Sequence, residues 1–164
     1  MDQRTPTNAP GSTDTERHGV AGIERTVRLW SGLVLFIFVL THFLNHALGI
    51  FGIAVMEEAQ LWRTAVWRSM PGTILLYGAA AVHVLLASKR IVERRTWRMP
   101  LRDVLQICLG LSIPYLLYEH AIGTRWVSEV ANVNDTYAAT LQHLWPRRAW
   151  QQTALILVVW GHAM

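Results

Sequence analysis

The chain has 164 residues, of which 52% are hydrophobic and 16% charged, and it carries a formal net charge of +4. So large an apolar fraction, with eight tryptophans, is typical of an integral membrane protein rather than a soluble domain. The single cysteine, Cys108, excludes a disulfide framework or a cysteine-ligated metal site within the chain.

The amino-terminal residues are polar and offer almost nothing for a core to bury. Residues 1–22 are rich in Pro, Thr, Gly, Asp and Asn, which predicts a disordered tail. The apolar run that follows is too long for the core of a secretory signal peptide. We therefore divide the chain into a disordered cytoplasmic tail over residues 1–24 and a membrane domain over residues 25–164.

Four apolar runs predict an all-α fold, a polytopic transmembrane helical bundle with four spans. The runs cover residues 29–50, 72–88, 104–122 and a stretch from about Ala149 to Met164. The fourth run reaches only about 22 Å, short of a hydrocarbon core of ~30 Å, so we expect the chain to end inside the membrane as a fragment or truncated product. Residues 51–71 predict an interfacial amphipathic helix, and residues 127–148 a polar connection with a short surface helix.

Lysine and arginine are unevenly divided between the two predicted sides of the membrane. Ten of the 15 lie either before the first run, within residues 1–28, or in the loop between the second and third runs. Cytoplasmic flanks carry the excess of these residues, so the amino terminus and the basic loop are predicted to face the cytoplasm. The basic residues bracket apolar runs instead of forming a patch interleaved with aromatic side chains, so nucleic acid is not an expected partner.

Histidines are the most informative residues of the apolar runs. An ionisable side chain inside a membrane is costly and marks a functional site. Five of the seven histidines fall in the runs: His42, His46, His83, His120 and His162. The other two, His18 and His143, lie in the tail and a connection and are predicted to be solvated.

Depth in the membrane groups these five histidines into two sets. His46 lies 17 residues after Leu29 and His120 lies 17 residues after Asp103, counted from the predicted cytoplasmic starts of their helices, so each is about 26 Å up. His42 lies one turn deeper, a difference that helix tilt absorbs. Two axial ligands of one haem iron approach it from opposite faces at similar height, so His120 with either His42 or His46 predicts an outer haem site.

The second set predicts an inner haem site. His83 and His162 both lie about 17 to 20 Å below the outer face, with small residues around them. The chain is thus expected to bind two haem b groups, each between two imidazoles. When protein fills both axial positions, electron transfer or redox sensing is the expected role, and the location in lipid implies membrane quinone as the redox partner.

Three further polar side chains lie near these histidines. Glu119, Tyr118 and Asn45 are candidates for a quinone or proton site. The histidine of the pair His42 and His46 that does not ligate iron would bond a haem propionate, a quinone or Asn45. In the alternative interpretation the histidines form interhelical hydrogen bonds, or bind a transition metal, in a haem-free helical membrane protein.

Residues 41–49 read Thr-His-Phe-Leu-Asn-His-Ala-Leu-Gly, and one histidine follows in each later run. This pattern resembles the di-haem cytochrome b membrane anchors of succinate dehydrogenase and fumarate reductase. With the basic loop, it resembles more closely the haem b anchor at the amino terminus of some bacterial class III adenylate cyclases. The resemblance covers about residues 25–164 and implies a multi-pass protein of the bacterial inner membrane. By position it favours His42 as the first-helix ligand, with the later ligands being His83, His120 and His162.

The resemblance also implies a function. In the cyclases, the redox state of the anchor is thought to control a cytoplasmic cyclase domain, so we expect a quinone-reactive redox sensor that works as a homodimer. Its output domain would follow Met164, since no catalytic site is predicted within the chain. The alternative is an electron-transferring anchor subunit of a succinate dehydrogenase or fumarate reductase type of complex, which would co-purify with flavoprotein and iron–sulfur subunits.

Overall fold

The computed structural model describes residues 12–131 and 136–164, which form helices and their connections without a strand. The elements are α1 (Ser12–Ala47), a 3₁₀ turn (Leu48–Phe51), α2 (Ile53–Trp67), α3 (Met70–Val92), α4 (Leu101–Ala121), a π-helical turn (Ile122–Trp126), α5 (Val127–Ala131), α6 (Tyr137–Leu144) and α7 (Ala149–Ala163). For this part of the chain, the predicted all-α class is confirmed.

Three helical segments are long and apolar enough to cross a membrane. They are Gly19–Phe51, Met70–Val92 and Leu101–Ala131. These segments contain the first three predicted spans and are compatible with a multi-pass membrane protein. The predicted fourth run forms α7, a helix of 15 residues.

The helix α1 includes part of the predicted tail. It begins at Ser12, so residues 12–24 are helical in the structure. Once an apolar span has nucleated a helix, each added residue gains a hydrogen bond at little cost, so the helix extends into polar sequence. Residues 1–11 of the predicted tail lie outside the described residues, as do the side chains of His18 and His143.

Local capping explains several helix ends. The Ser69 hydroxyl accepts a hydrogen bond from the Gly72 backbone N–H and caps α3, and Thr136 does the same for α6 through the Ala139 N–H. Such caps satisfy backbone donors that have no partner in the first turn. Gly52 separates the 3₁₀ turn from α2 with φ at 118°, a left-handed conformation that favours glycine.

Contacts divide the chain into two compact units. The first comprises the chain up to Leu40 together with Val66–Glu93. Within it, α1 and α3 are antiparallel: Lys89 pairs with Glu24, His83 with Ser31, and the Trp67 ring, at the end of α2 just before α3, packs edge-on against Phe38 with centroids 5.3 Å apart.

The second unit comprises Thr41–Ala65 and Arg94–Met164. Its α4 and α7 are also antiparallel, because Glu119 near the end of α4 bonds Gln151 near the start of α7, whereas Gln106 contacts His162. The end of α1 lies with the start of α2 and of α6 in the same unit. In each unit, this packing places histidines against polar groups of a neighbouring helix.

Most large apolar side chains of the long helices are exposed. The buried apolar side chains within the described part of the chain are those of Met56, Tyr137 and Leu155. Leu29, Leu85 and Leu111, for example, are each more than 60% exposed. A surface this apolar is typical of helices that are covered by lipid.

Candidate functional site

His83 of α3 lies against α1 in the first unit. Its Nδ1 is 3.5 Å from the Ser31 hydroxyl oxygen, which also lies 3.0 Å from the Arg28 carbonyl oxygen. His83 and Ser31 are thus within hydrogen-bonding reach, and either group can be the donor. A methyl group at the neighbouring Gly32 would lie 3.4 Å from His83 Cε1, which is an ordinary van der Waals contact.

His162 of α7 lies against α4 in the second unit. Its Nδ1 is 3.0 Å from the backbone carbonyl oxygen of Gln106, which can only accept a hydrogen bond. A methyl group at Gly110, one turn further along α4, would lie 2.8 Å from His162 Cε1. The absence of a side chain at Gly110 is thus what lets the imidazole reach the helix backbone.

His120 of α4 is held from the opposite helix. Its Nδ1 lies 2.7 Å from Oε1 of Gln152 on α7. Glu119, the adjacent residue, accepts a hydrogen bond of 2.9 Å from Gln151 Nε2. Two successive residues of α4 therefore bond two successive residues of α7.

The contacts of His120 and His162 fix the tautomer of both rings. In each ring the proton sits on Nδ1 and is donated to an oxygen of a neighbouring helix, whereas His83 Nδ1 and the Ser31 hydroxyl can each act as donor or acceptor. In His120 and His162 the lone pair is then on Nε2. Histidines that bind metals have this arrangement, because the second nitrogen donates to a carbonyl, carboxylate or similar acceptor that fixes the ring.

His42 and His46 of α1 join His120 in what we call the histidine cluster. Their Nε2 atoms are 3.2 Å apart, and their ring centroids are separated by 4.5 Å. The His42 centroid lies 5.8 Å from that of His120. Both candidates for the first-helix ligand are therefore close to each other, and His42 is in ring contact with His120.

A buried polar group adjoins the cluster. Asn45, only 4% exposed, donates through Nδ2 to the Met56 carbonyl oxygen at 3.2 Å and to the Tyr137 hydroxyl at 2.7 Å. The Asn45 Oδ1 atom is buried and accepts no hydrogen bond from the described residues. The Tyr137 ring also contacts the His46 ring, with centroids 5.5 Å apart.

Arg63 of α2 supplies a positive charge here. It forms a side-chain hydrogen bond with Tyr137 and interacts electrostatically with all three imidazoles of the cluster. Burial raises the pKa of the Tyr137 hydroxyl, although Arg63 and the hydrogen bond from Asn45 act in the opposite direction. The histidine cluster therefore has a phenol and a guanidinium as neighbours, at the edge of an apolar segment.

The sequence-predicted polar residues separate into different surroundings. Asn45 lies with Tyr137, whereas Tyr118 is 67% exposed on α4 and Glu119 is bonded to Gln151. Sequence reasoning missed Tyr137, Arg63 and Gln152. Their helical spacing resembles that of ordinary interfacial residues, so only the packing of α2, α6 and α7 identifies them.

No group of three or more His, Cys, Asp or Glu side chains within residues 12–131 and 136–164 is placed to hold a metal ion. Axial ligation of haem requires no such group, since single imidazoles from different helices suffice. Comparison with family models, curated proteins and solved structures yields no match to this chain.

Proposed function

We propose that this chain is a haem b-binding membrane protein in which His83, His120, His162 and either His42 or His46 are the axial ligands. The observation that supports this most directly is the shared Nδ1–H tautomer of His120 and His162, each of which donates to an oxygen of the opposite helix. A ring held this way has its lone pair on Nε2 and is fixed in orientation.

The residues present fit such a group. Gly110 leaves room beside His162, where a side chain would crowd the imidazole. The buried Asn45 Oδ1 offers a further acceptor beside the histidine cluster. When bound, haem b would supply one-electron redox chemistry. The chain itself would hold the imidazole orientations, exclude water through its apolar helices and provide Tyr137 and Arg63 as polar neighbours.

We extend the proposal to a role in redox sensing. The apolar segments favour membrane quinone as the partner of the haem groups, with Asn45, Tyr118 and Glu119 as candidate quinone or proton residues. The protein would lie in a bacterial inner membrane as a homodimer, with α7 as a fourth span. The basic tail and loop support a cytoplasmic amino terminus. Its redox state would regulate a cytoplasmic adenylate cyclase domain, or, as an alternative, the chain would serve as an anchor subunit of a succinate dehydrogenase type of complex.

A reduced-minus-oxidised absorption spectrum of the protein in detergent tests the haem proposal. The expected result is two low-spin haems b per chain by pyridine haemochrome quantitation. His120→Ala should lower the haem content, and His18→Ala is the matched control outside the long apolar runs. Folded protein that contains no haem after expression with added haem would overturn the proposal.

The same hydrogen bonds also support a second candidate, a haem-free structural protein. His83, His120 and His162 each link two helices, which is a common role of histidine in membrane proteins. This candidate predicts no Soret absorption and a loss of stability, without any spectroscopic change, when one of these histidines is replaced.

A further inference from the structure

His42 and His46 are spaced to share one face of α1. Residues four apart on an α-helix are neighbours on adjacent turns. Here the two rings meet at 80° between their planes, and their Nε2 atoms are hydrogen-bonded across 3.2 Å, so one of the two nitrogens carries a proton. The two ring nitrogens are therefore already brought together by a single helix.

The distance between the two Nε2 atoms suits chelation of one metal ion by both rings. Imidazole nitrogens bind zinc at about 2.0 to 2.1 Å, so two nitrogens 3.2 Å apart would subtend roughly 100° at the metal. That angle is close to tetrahedral. Because both ligands are on one rigid helix, binding requires no movement of the backbone.

We propose that His42 and His46 form a bidentate site for a divalent transition-metal ion of the class that prefers imidazole, with zinc as its representative. Each ring would bind through Nε2 with its proton on Nδ1, so the ring that now donates from Nε2 would change tautomer. Water or a small anion would fill the remaining positions, since the described side chains supply no group of three or more ligands. His46 is exposed, so an ion can reach the site.

Formation of the metal site does not require haem, but a bound metal ion would compete with haem iron for an imidazole. An imidazole Nε2 atom binds one metal at a time, so His42 cannot serve an iron and the chelated ion together. If His42 is the haem ligand, occupancy of the two sites is mutually exclusive. If His46 is the haem ligand, the same competition holds through His46.

The positive charge of Arg63 predicts whether its replacement should raise or lower the affinity for metal. Its charge interacts with both His42 and His46, and it would repel a dication held between them. Replacing Arg63 with glutamine removes this repulsion while retaining hydrogen-bond donors. Arg63→Gln should therefore tighten metal binding.

The test is a cobalt titration of haem-free protein in detergent, purified with a tag that contains no histidine. A Cys108→Ser background removes the free thiol as a competing ligand. We expect saturable binding of one Co²⁺ with tetrahedral absorption bands, which one equivalent of Zn²⁺ abolishes. His46→Ala and His46→Asn should both weaken binding at least about tenfold, since even the loss of a partner of a ligand costs 10- to 100-fold.

His18→Ala is the matched control, because His18 lies outside the long apolar runs and has no second histidine one turn away. This control variant should bind cobalt with the affinity of the parent protein, and Arg63→Gln should bind cobalt more tightly than the parent. The proposal is overturned if the parent shows no saturable binding, or if either His46 variant retains parental affinity. The haem spectrum is measured separately, so failure of the haem proposal leaves this result unaffected.

Discussion

The Nδ1 atom of His162 lies 3.0 Å from the backbone carbonyl oxygen of Gln106. The backbone carbonyl oxygen remains as an acceptor when the side chain of Gln106 is replaced. His120 instead depends on the side chain of Gln152, 2.7 Å away. Two histidines with the same tautomer are therefore held by supports that respond differently to mutation.

Gln152→Leu should free His120 Nδ1–H from its acceptor. Leaving a buried donor unsatisfied costs about 1 to 3 kcal/mol, so the free energy of unfolding in mixed micelles should fall by that amount. Because a hydrogen bond from Nδ1–H makes the imidazole a stronger donor to iron, its loss should raise the midpoint potential of any haem that His120 ligates. Gln106→Leu is the control and should change neither quantity. Equal effects of both variants would contradict the tautomer assignment.

Gly110→Ala should displace His162. The added methyl group would meet Cε1 at 2.8 Å and Nδ1 at 3.1 Å, distances that force the ring to move. Overpacking of this kind costs about 1 to 3 kcal/mol, and haem content should fall with it. Gly78→Ala is matched to it, since a methyl group there meets nothing within 4 Å. That variant should be as stable as the parent, and a similar loss in both would show that crowding at His162 is not the cause.

Asn45 and Tyr137 should prove energetically coupled. Asn45→Ala and Tyr137→Phe each remove the hydrogen bond of 2.7 Å between them. In a double-mutant cycle we expect a coupling energy of about 0.5 to 1.5 kcal/mol, measured as free energy of unfolding. Pairing Tyr137→Phe with Thr153→Val, an exposed residue of α7, should give additive effects. Additivity at Asn45 would mean that the buried hydrogen bond contributes nothing.

The buried Tyr137 hydroxyl should make the protein sensitive to alkali. Its pKa in the folded state is raised above the ordinary value of 10.0 by burial. The folded state therefore holds this proton more tightly than the unfolded state, and the resulting stabilisation is complete below pH 10 and lost as the pH rises through the raised pKa. Between pH 9 and pH 11, the parent should lose more unfolding free energy than Tyr137→Phe. Parallel pH curves for the two proteins would refute this assignment.

Hydropathy and composition were sufficient for the helical class and for the three long apolar segments. A span of about 20 apolar residues is a local property, so it is readable without packing information. The extension of α1 back to Ser12 was not readable from the sequence, because helix propagation from a stable span does not need apolar residues. The placement of five histidines within or beside apolar helices also followed from sequence position alone.

The partners of those histidines could not be read from the sequence. Ser31, Gln106 and Gln152 are ordinary polar groups, and nothing in their spacing distinguishes them from others on the same helices. Depth along the helices, counted in residues, left His42 and His46 as alternatives, and their contact across 3.2 Å depends on side-chain rotamers. The pairing of His83 with His162 remains a prediction from their equal depth.

Sequence by itself determined that the chain would form long apolar helices carrying histidines, because hydrophobicity and helical length act locally. Tertiary structure decided which nitrogen of His120 and His162 carries the proton, that Gly110 makes room for a ring, and that Asn45, Tyr137 and Arg63 gather beside His42, His46 and His120. These features depend on which faces of separate helices meet. Short-range hydrogen bonds and van der Waals contacts between residues distant in the chain decide that, and a pattern read along one helix does not contain them.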